Sequence, residues 1–431
     1  MGKKTVSVLT LGCKVNQYES ESMIEQFQTA GFALSEGDFA DYYVINTCTV
    51  TSISDRKSRQ FMRRARKANP EAVIAVVGCY SQVSPEQVEA ISEVNVVLGT
   101  HEKKDILKYL EAATSTSKIV QVGEIMKTKV YDEMSIEDTV DKTRVFMKIQ
   151  DGCNQFCSYC IIPYARGPIR SRDPENVISE ARGLATKGFK EIVLTGIHLS
   201  SYGKDLEHTS LIEIIESLNE IDGLERIRLG SLEPKIITED FVERLSRLDK
   251  FCAHFHLSLQ SGSDTVLSRM NRRYDTHEYF SAVELIHTRL QDASFTTDII
   301  VGFPGETEKE FDETCEFVKK VEFSKVHIFK YSPREGTKAA VMKEQVHGEI
   351  KTNRSHKLQE VCSTVENNYL NKLLGRNLKV LFEEVVDGCF EGLTEGYLRV
   401  SVRTLNNLVN KISDVKIIGV ENGRLIGELI Q

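Results

Sequence analysis

The residues Asp151–Cys160 read DGCNQFCSYC, which sets Cys153, Cys157 and Cys160 at C-x3-C-x2-C spacing. Cysteine is scarce, 10 of 431 residues, so three within eight positions is a pattern that composition alone seldom produces. Three thiolates on one short loop can hold three irons of a 4Fe-4S cluster and leave the fourth iron open to a ligand. A zinc loop is the plainer alternative. Zinc, however, usually takes cysteine in paired C-x2-C units or together with His, and no His lies near this loop. Cluster binding is the stronger reading.

Three more cysteines stand at a different kind of spacing. LTLGC ends at Cys13, VINTC at Cys48 and VVGC at Cys79. Each closes a short apolar run that reads as a buried strand: Val6–Leu11, Tyr42–Ile45 and Val73–Val77. Between them, Glu19–Ala30 and Asp55–Ala68 carry helical spacing, so this third of the chain predicts a parallel sheet covered on both faces. Open α/β sheets bind ligands beyond the carboxyl ends of their strands, where these three thiols converge. One such cysteine is most simply a small buried apolar residue. Three of them favour a second 4Fe-4S cluster, again with one iron open.

Residues 1–112 form the first predicted domain and 113–142 a polar linker with one short strand at Lys118–Val122. From 143 to 370, six strands alternate with helices: Val145–Gln150, Glu191–Thr195, Arg226–Leu229, His254–Leu259, Phe295–Val301 and Lys325–Tyr331. The helices are Pro174–Lys187, Leu211–Asn219, Glu239–Leu248, Tyr279–Leu290 and Glu308–Val321. Six βα units predict a partial (β/α)6 barrel with a lateral opening, and chemistry at the strand C-termini. The first loop there carries Cys153–Cys160; the others present Thr195-Gly196, Ser231 and Glu233, Gln260, and Gly302, Pro304 and Gly305. Each could be only a turn, but recurrence at corresponding strand ends favours one shared ligand. Residues 371–431 change to short strands with a Glu421-Asn422-Gly423 hairpin signal and balanced charge, which predicts a small β-barrel.

The net charge of −8 does not advertise nucleic-acid binding, so local charge must carry it. The helix after Cys48 holds Arg56, Lys57, Arg59, Arg63, Arg64, Arg66 and Lys67 without an acid between them. Solvated faces normally mix signs, so this run favours a polyanion. Arg166, Arg170 and Arg172 in RGPIRSR, and Arg272 and Arg273 beside Tyr274, are further basic patches that could face phosphate or water. No apolar run reaches 18 residues, and the apolar stretch Val6–Leu11 is too short for an exported signal, so a cytoplasmic protein with free thiols is expected.

Taken together, LGCKVNQYES, VINTCTVT, VVGCYSQ, DGCNQFCSYCIIPYARG, EIVLTGIH, HFHLSLQSGSDTVLSRMNRRY and DIIVGFPGET resemble the radical S-adenosylmethionine (SAM) methylthiotransferases over essentially the whole chain. The tail is similar to that family's TRAM β-barrel. LGCKVNQYES is most like the branch acting on N6-threonylcarbamoyladenosine beside the tRNA anticodon. Related branches act on isopentenyladenosine in tRNA or on a ribosomal-protein aspartate. Pro168-Ile169 stands where those branches commonly carry an acid, which favours the first branch.

The resemblance implies two 4Fe-4S clusters. One, on Cys153, Cys157 and Cys160, would cleave SAM to a 5′-deoxyadenosyl radical. The other, on Cys13, Cys48 and Cys79, would present sulfur methylated from a second SAM. The shared ligand of the strand ends would then be SAM, and the polyanion the tRNA anticodon stem-loop, its base splayed out. An electron donor such as flavodoxin or ferredoxin and a sulfur source are implied as well. The competing class is a non-enzymatic iron–sulfur protein that binds RNA. Two open-iron sets argue against it, because a structural cluster is better served by four ligands.

Overall fold

The computed structural model describes residues 3–35, 37, 39–50, 52–137 and 143–430; the end of the expected linker, 138–142, lies outside them. The first sheet contains β1 (Thr5–Thr10), β2 (Ala33–Leu34), β3 (Tyr42–Thr47), β4 (Val73–Gly78), β5 (Val96–Leu98) and β6 (Ile119–Gln121). All pairings are parallel, in the order β2-β1-β3-β4-β5-β6. Alternation sends neighbouring side chains to opposite faces. Val44 and Ala75 pack with Tyr18, Met23 and Phe27 of the helix Lys14–Thr29, while Ile45 and Val76 pack with Met62 and Ala65 of the helix Ser52–Ala68. The short strand expected near 118–122 is β6, which extends this sheet past residue 112.

In the middle of the chain, β7 (Arg144–Asp151), β8 (Arg170–Ser171), β9 (Glu191–Gly196) and β10 (Arg226–Leu229) pair in the order β10-β9-β7-β8. A second group holds β11 (His254–His256), β12 (Ser294–Val301) and β13 (Lys325–Lys330). Parallel bridges Ile227↔Phe251 and Leu232↔Leu257 join the groups, so β7-β9-β10-β11-β12-β13 form one arc of parallel strands. Among the described residues β7 and β13 do not pair, so the arc stays open on that side. The helices Pro174–Thr186, Leu211–Asn219, Glu239–Leu245, Thr276–Arg289 and Glu308–Val321 pack into the arc's core. Asp275 and Thr307 start two of them with capping boxes.

Of the elements that the sequence does not announce, two bear on the site. The antiparallel two-residue β8 is too short to leave a periodic signal. The 24-residue helix Gly348–Asn371 buries Arg354, Leu358, Cys362 and Val365 against the barrel, one stripe at helical spacing in an otherwise polar stretch.

At the C-terminus, β14 (Asn377–Val386), β15 (Cys389–Thr394), β16 (Arg399–Val402), β17 (Ile412–Glu421) and β18 (Arg424–Leu429) close a barrel in the order β14-β15-β16-β18-β17. Asn422 and Gly423 both take positive φ, 49° and 75°, as the tight hairpin turn of the type I′ class requires. Arg226 donates to the carbonyls of Leu393 and Lys379 at 2.9 Å, and Arg228 to Glu395 O at 2.6 Å and Thr394 O at 3.1 Å. These bonds seat the β15–β16 connection against the inside of the arc. No helix among the described residues is long and apolar enough to cross a membrane.

Candidate active site at the strand ends

The Cys153–Cys160 loop leaves β7 through Gly152. That residue sits at φ +73°, and a Cβ on it would lie 1.8 Å from Pro168 O, so only glycine fits. Backbone bonds then fix the loop: Cys153 N–H to Gly167 O (3.0 Å), Ser158 N–H to Met270 O (2.9 Å) and Ala339 N–H to Ser158 O (2.8 Å). Gln155 N–H points at Cys153 Sγ at 3.5 Å and Arg272 Nη1 at Cys157 Sγ at 3.2 Å. Burial pushes the Cys153 thiol up to about 11, and burial with the Cys157 charge pushes Cys160 up to about 12. Burial raises Cys252, Cys315 and Cys362 in the same way, so the rise itself does not mark a ligand. What fits a cluster held by three corners is the donor set: three thiols within eight residues on one loop whose backbone is pinned at Cys153 and Ser158.

Cys13 is the N-cap of the helix Lys14–Thr29, Cys48 follows β3, and Cys79 opens the helix Cys79–Val83. Gly12, at φ +118°, lets the first two loops touch: a Cβ there would lie 2.9 Å from Cys48 Cβ. Asn16 ties them further, donating to Leu11 O (2.8 Å) and Thr47 O (2.9 Å). Burial first, then the neighbouring Cys79, raises Cys48 to about 12. Cys13 is exposed while Cys48 and Cys79 are buried. These three thiols also suit a cluster with one open corner. Among the described residues no three His, Cys, Asp or Glu side chains close around a single metal ion, whereas ligands that each take a different corner of a cube need not.

Arg166 joins the two sets. Its Nε donates to Cys79 Sγ at 3.3 Å, Nη2 to Asn16 Oδ1 at 2.7 Å, and Nη1 to Glu19 at 2.6 Å and to Asp151, the last residue of β7 before the cluster loop, at 3.3 Å. Lys148 pairs with Glu19 at 2.9 Å and Asp151 at 2.6 Å, and Lys103 also pairs with Glu19. Burial disfavours the charge on Glu19, but Arg166, Lys103 and Lys148 hold it well below the usual carboxylate range. The sequence reading grouped Arg166 with a patch facing phosphate or water. The available signal was its place after the apolar run Ile161–Ala165, with no acid beside it.

A cavity of about 940 Å³ opens inside the arc. Gly12, Cys13 and Lys14 line one wall, Thr195, Gly196 and Ser231 another, and Tyr397 and Arg399 of the C-terminal barrel a third. The other strand-end residues stand elsewhere. Glu233 accepts from Gln155 Nε2 at 3.1 Å and pairs with Arg272 at 3.5 Å, behind the cluster loop. Gln260, at φ 70°, bridges to β12, and Gly302, Pro304 and Gly305 turn beneath Lys351 and Glu344. Phe303 of that turn packs edge-on against Tyr159, centroids 6.5 Å apart, so it backs the cluster loop from below.

The arginines divide sharply. Arg56, Arg63 and Arg64 are exposed along one helix, and Arg273 is exposed too. Arg59 reaches Tyr80 OH at 3.0 Å, and Arg66 is committed to Pro70 O, Ala72 O, Glu93 O and Asn95 Oδ1 at 2.6–2.8 Å. Arg170 and Arg172, expected as possible phosphate ligands, are buried instead. β8 turns them inward, where Arg170 donates to Arg166 O and Pro168 O and Arg172 pairs with Glu180 and Glu133. Arg272 lies over Tyr274 beside Cys157 rather than in solvent.

Comparison with known proteins agrees with this architecture. Residues 147–318 match the Radical SAM superfamily and residues 5–99 the Uncharacterized protein family UPF0004. The threonylcarbamoyladenosine tRNA methylthiotransferase MtaB of Bacillus subtilis is 42% identical over 424 residues, covering 96% of this chain and 94% of that protein. The tRNA-2-methylthio-N(6)-dimethylallyladenosine synthase of Acetivibrio thermocellus is 36% identical over 444 residues, covering 100% and 92%. Among solved structures, the radical SAM methyltransferase TsrM of Kitasatospora setae shares the fold at 14% identity and a TM-score of 0.57, over 79% of this chain and 77% of that one. With these domain matches and relatives of this identity over nearly its full length, the chain belongs to the radical SAM methylthiotransferase family.

Proposed function

We propose that this enzyme adds a methylthio group to C2 of N6-threonylcarbamoyladenosine beside the tRNA anticodon, with SAM as both radical source and methyl donor. The observation that supports the reading is the course of the cavity: it runs from Cys13 of the strand-end set past Ile162, two residues beyond Cys160, to Thr195, Gly196 and Ser231, so a base bound there lies beside one cysteine set and at the barrel strand ends that neighbour the other. Cys153, Cys157 and Cys160 would hold one 4Fe-4S cluster and Cys13, Cys48 and Cys79 a second. When bound, the first supplies reductive cleavage of SAM and the second supplies sulfur. The protein's own part is positional. Thr195, Gly196 and Ser231 line a pocket for a SAM-sized ligand, and Tyr397 and Arg399 of the C-terminal barrel line its other side. Arg166 locks the strand-end loops to the cluster loop, so the two sets cannot drift apart. Arg56, Arg63 and Arg64 offer exposed charge to the anticodon stem.

The relatives named for threonylcarbamoyladenosine are 39–42% identical, those named for dimethylallyladenosine 36%, which supports the first base over the second. The test is anaerobic reconstitution with iron, sulfide, SAM, a reductant and tRNA, with nucleosides read by mass. A methylthio derivative of threonylcarbamoyladenosine is the expected product; tRNA that gains mass only at an isopentenylated adenosine overturns the assignment.

A further inference from the structure

Lys14 follows Cys13 directly, and its side chain enters the cavity. Its Nζ stands 5.1 Å from the Phe146 ring centroid and 5.3 Å from that of Tyr397. The Arg144 guanidinium lies 5.7 Å and 5.4 Å from the same two rings, and that of Arg228 lies 4.9 Å from Tyr397. Three cations thus surround one aromatic pair. Their anions are fewer: Glu191 holds Arg228 at 2.7 Å, and Glu383 holds Arg144 Nη2 at 3.2 Å. Arg144 Nη1 is buried with no hydrogen-bond partner. The charged groups beside Lys14 are Arg144 and Arg228, and no ion pair among the described residues joins it to an acid.

Other cations on the wall are matched. Lys325 pairs with Glu366 at 2.8 Å, Arg399 with Glu391 at 2.6 Å and Arg424 with Glu391 at 2.5 Å. Among the described residues the cation on this wall without an ion pair is therefore Lys14, and beside it stands one unfilled donor, Arg144 Nη1. An unfilled donor on a buried cation is costly, so this pair is built for an anion that arrives with a ligand. Cys13 and Lys14 line the same cavity, so an anion held by Lys14 enters the space that the Cys13 loop also borders.

The geometry points to Lys14 and Arg144 as the pair that binds the carboxylate of the threonylcarbamoyl group, selecting this base over adenosines with an uncharged N6 substituent. The assignment rests on the substrate reading above. A carboxylate takes charge-assisted bonds from both groups, while an alkyl substituent leaves both cations without a partner in the cavity.

The test uses the full chain with its clusters and without SAM. Binding is measured by fluorescence anisotropy with anticodon stem-loops carrying threonylcarbamoyladenosine, its methyl ester, or plain adenosine. The acid is expected to bind about tenfold or more tighter than the ester, in line with a hydrogen bond between charged groups. In Lys14→Gln and in Arg144→Gln the acid and the ester are expected to bind alike. Equal binding of acid and ester to the wild-type chain overturns the assignment. So does a Lys14→Gln chain that weakens all three RNAs by the same factor, which is the signature of a phosphate contact. Turnover separates the two levels. If the wild-type chain methylthiolates acid and ester equally well, only this inference fails; if it modifies neither, the substrate reading fails with it.

Discussion

The two cysteine sets reach similar ends by opposite routes. Cys153, Cys157 and Cys160 lie on one loop, and its neighbours only have to keep that loop in shape: Gly152 clears Pro168 O, and Met270, Ala339 and Gly167 clamp its backbone. Cys13, Cys48 and Cys79 come from three strand ends, so their proximity depends on the pairing of β1, β3 and β4 and on the Asn16 bonds that lace the loops. A local set survives small shifts of the sheet. A dispersed set cannot, and Arg166 binds it to the rest of the site through four buried partners.

The largest test of this contrast is chemical. Cys153→Ala is expected to abolish both SAM cleavage and product. Cys13→Ala is expected to abolish product while 5′-deoxyadenosine still forms, and to lower iron from about eight to about four per chain. Loss of SAM cleavage in Cys13→Ala would merge the two sets into one functional unit. Next in size, Arg166→Met leaves Glu19 and Asp151 short of a counter-charge in the interior. It is expected to cost roughly 3–5 kcal/mol, read from the urea midpoint, with disturbed iron loading at the strand-end set. An unchanged midpoint would show that the strand pairing alone holds the dispersed cysteines.

Gly152→Ala strains the local loop without touching the dispersed one. A cost of about 1–3 kcal/mol and iron loss confined to the loop set are expected. Acid stability gives a finer comparison. Glu19 is held below its unfolded value, so its contribution is present at neutral pH and declines as pH falls below about 5 toward its folded value. Glu19→Gln is expected to flatten that acid limb; an unchanged limb places the pH dependence elsewhere. Smallest is the exposed helix. Replacing Arg63 and Arg64 with Ala is expected to reduce the slope of log affinity for tRNA against log salt by roughly 0.7–0.9 for each lost phosphate contact. A constant slope would leave that face merely solvated.

The local set was legible because its spacing is written in consecutive residues. The dispersed set was legible only because each cysteine ended a recognisable strand, which let a rule about sheet edges bring them together. The basic segments read less well. RGPIRSR looks like a surface patch, yet β8 folds back on β7 and buries Arg170. In Arg56–Lys67 the periodicity gave the helix, but only the packing shows Arg66 closing on backbone carbonyls while Arg63 and Arg64 face out. The GFPG turn lies beneath Glu344 and Lys351, a neighbourhood hidden in the sequence because the helix Gly348–Asn371 carries only a weak apolar stripe.

What the sequence alone determined is the chemistry on offer: six thiols in two groups of three, the βα alternation that carries them, and a closing β-barrel. Residue type and short-range spacing are enough for these, since they follow from backbone periodicity and ligand affinity. The tertiary structure decided which charges are neutralised inside and which remain open to a ligand. Lys148 is enclosed by Glu19 and Asp151, whereas Lys14 lies near two aromatic rings and has no ion pair to an acid among the described residues. Charge pairing depends on distances between segments far apart in sequence, and no local pattern encodes them.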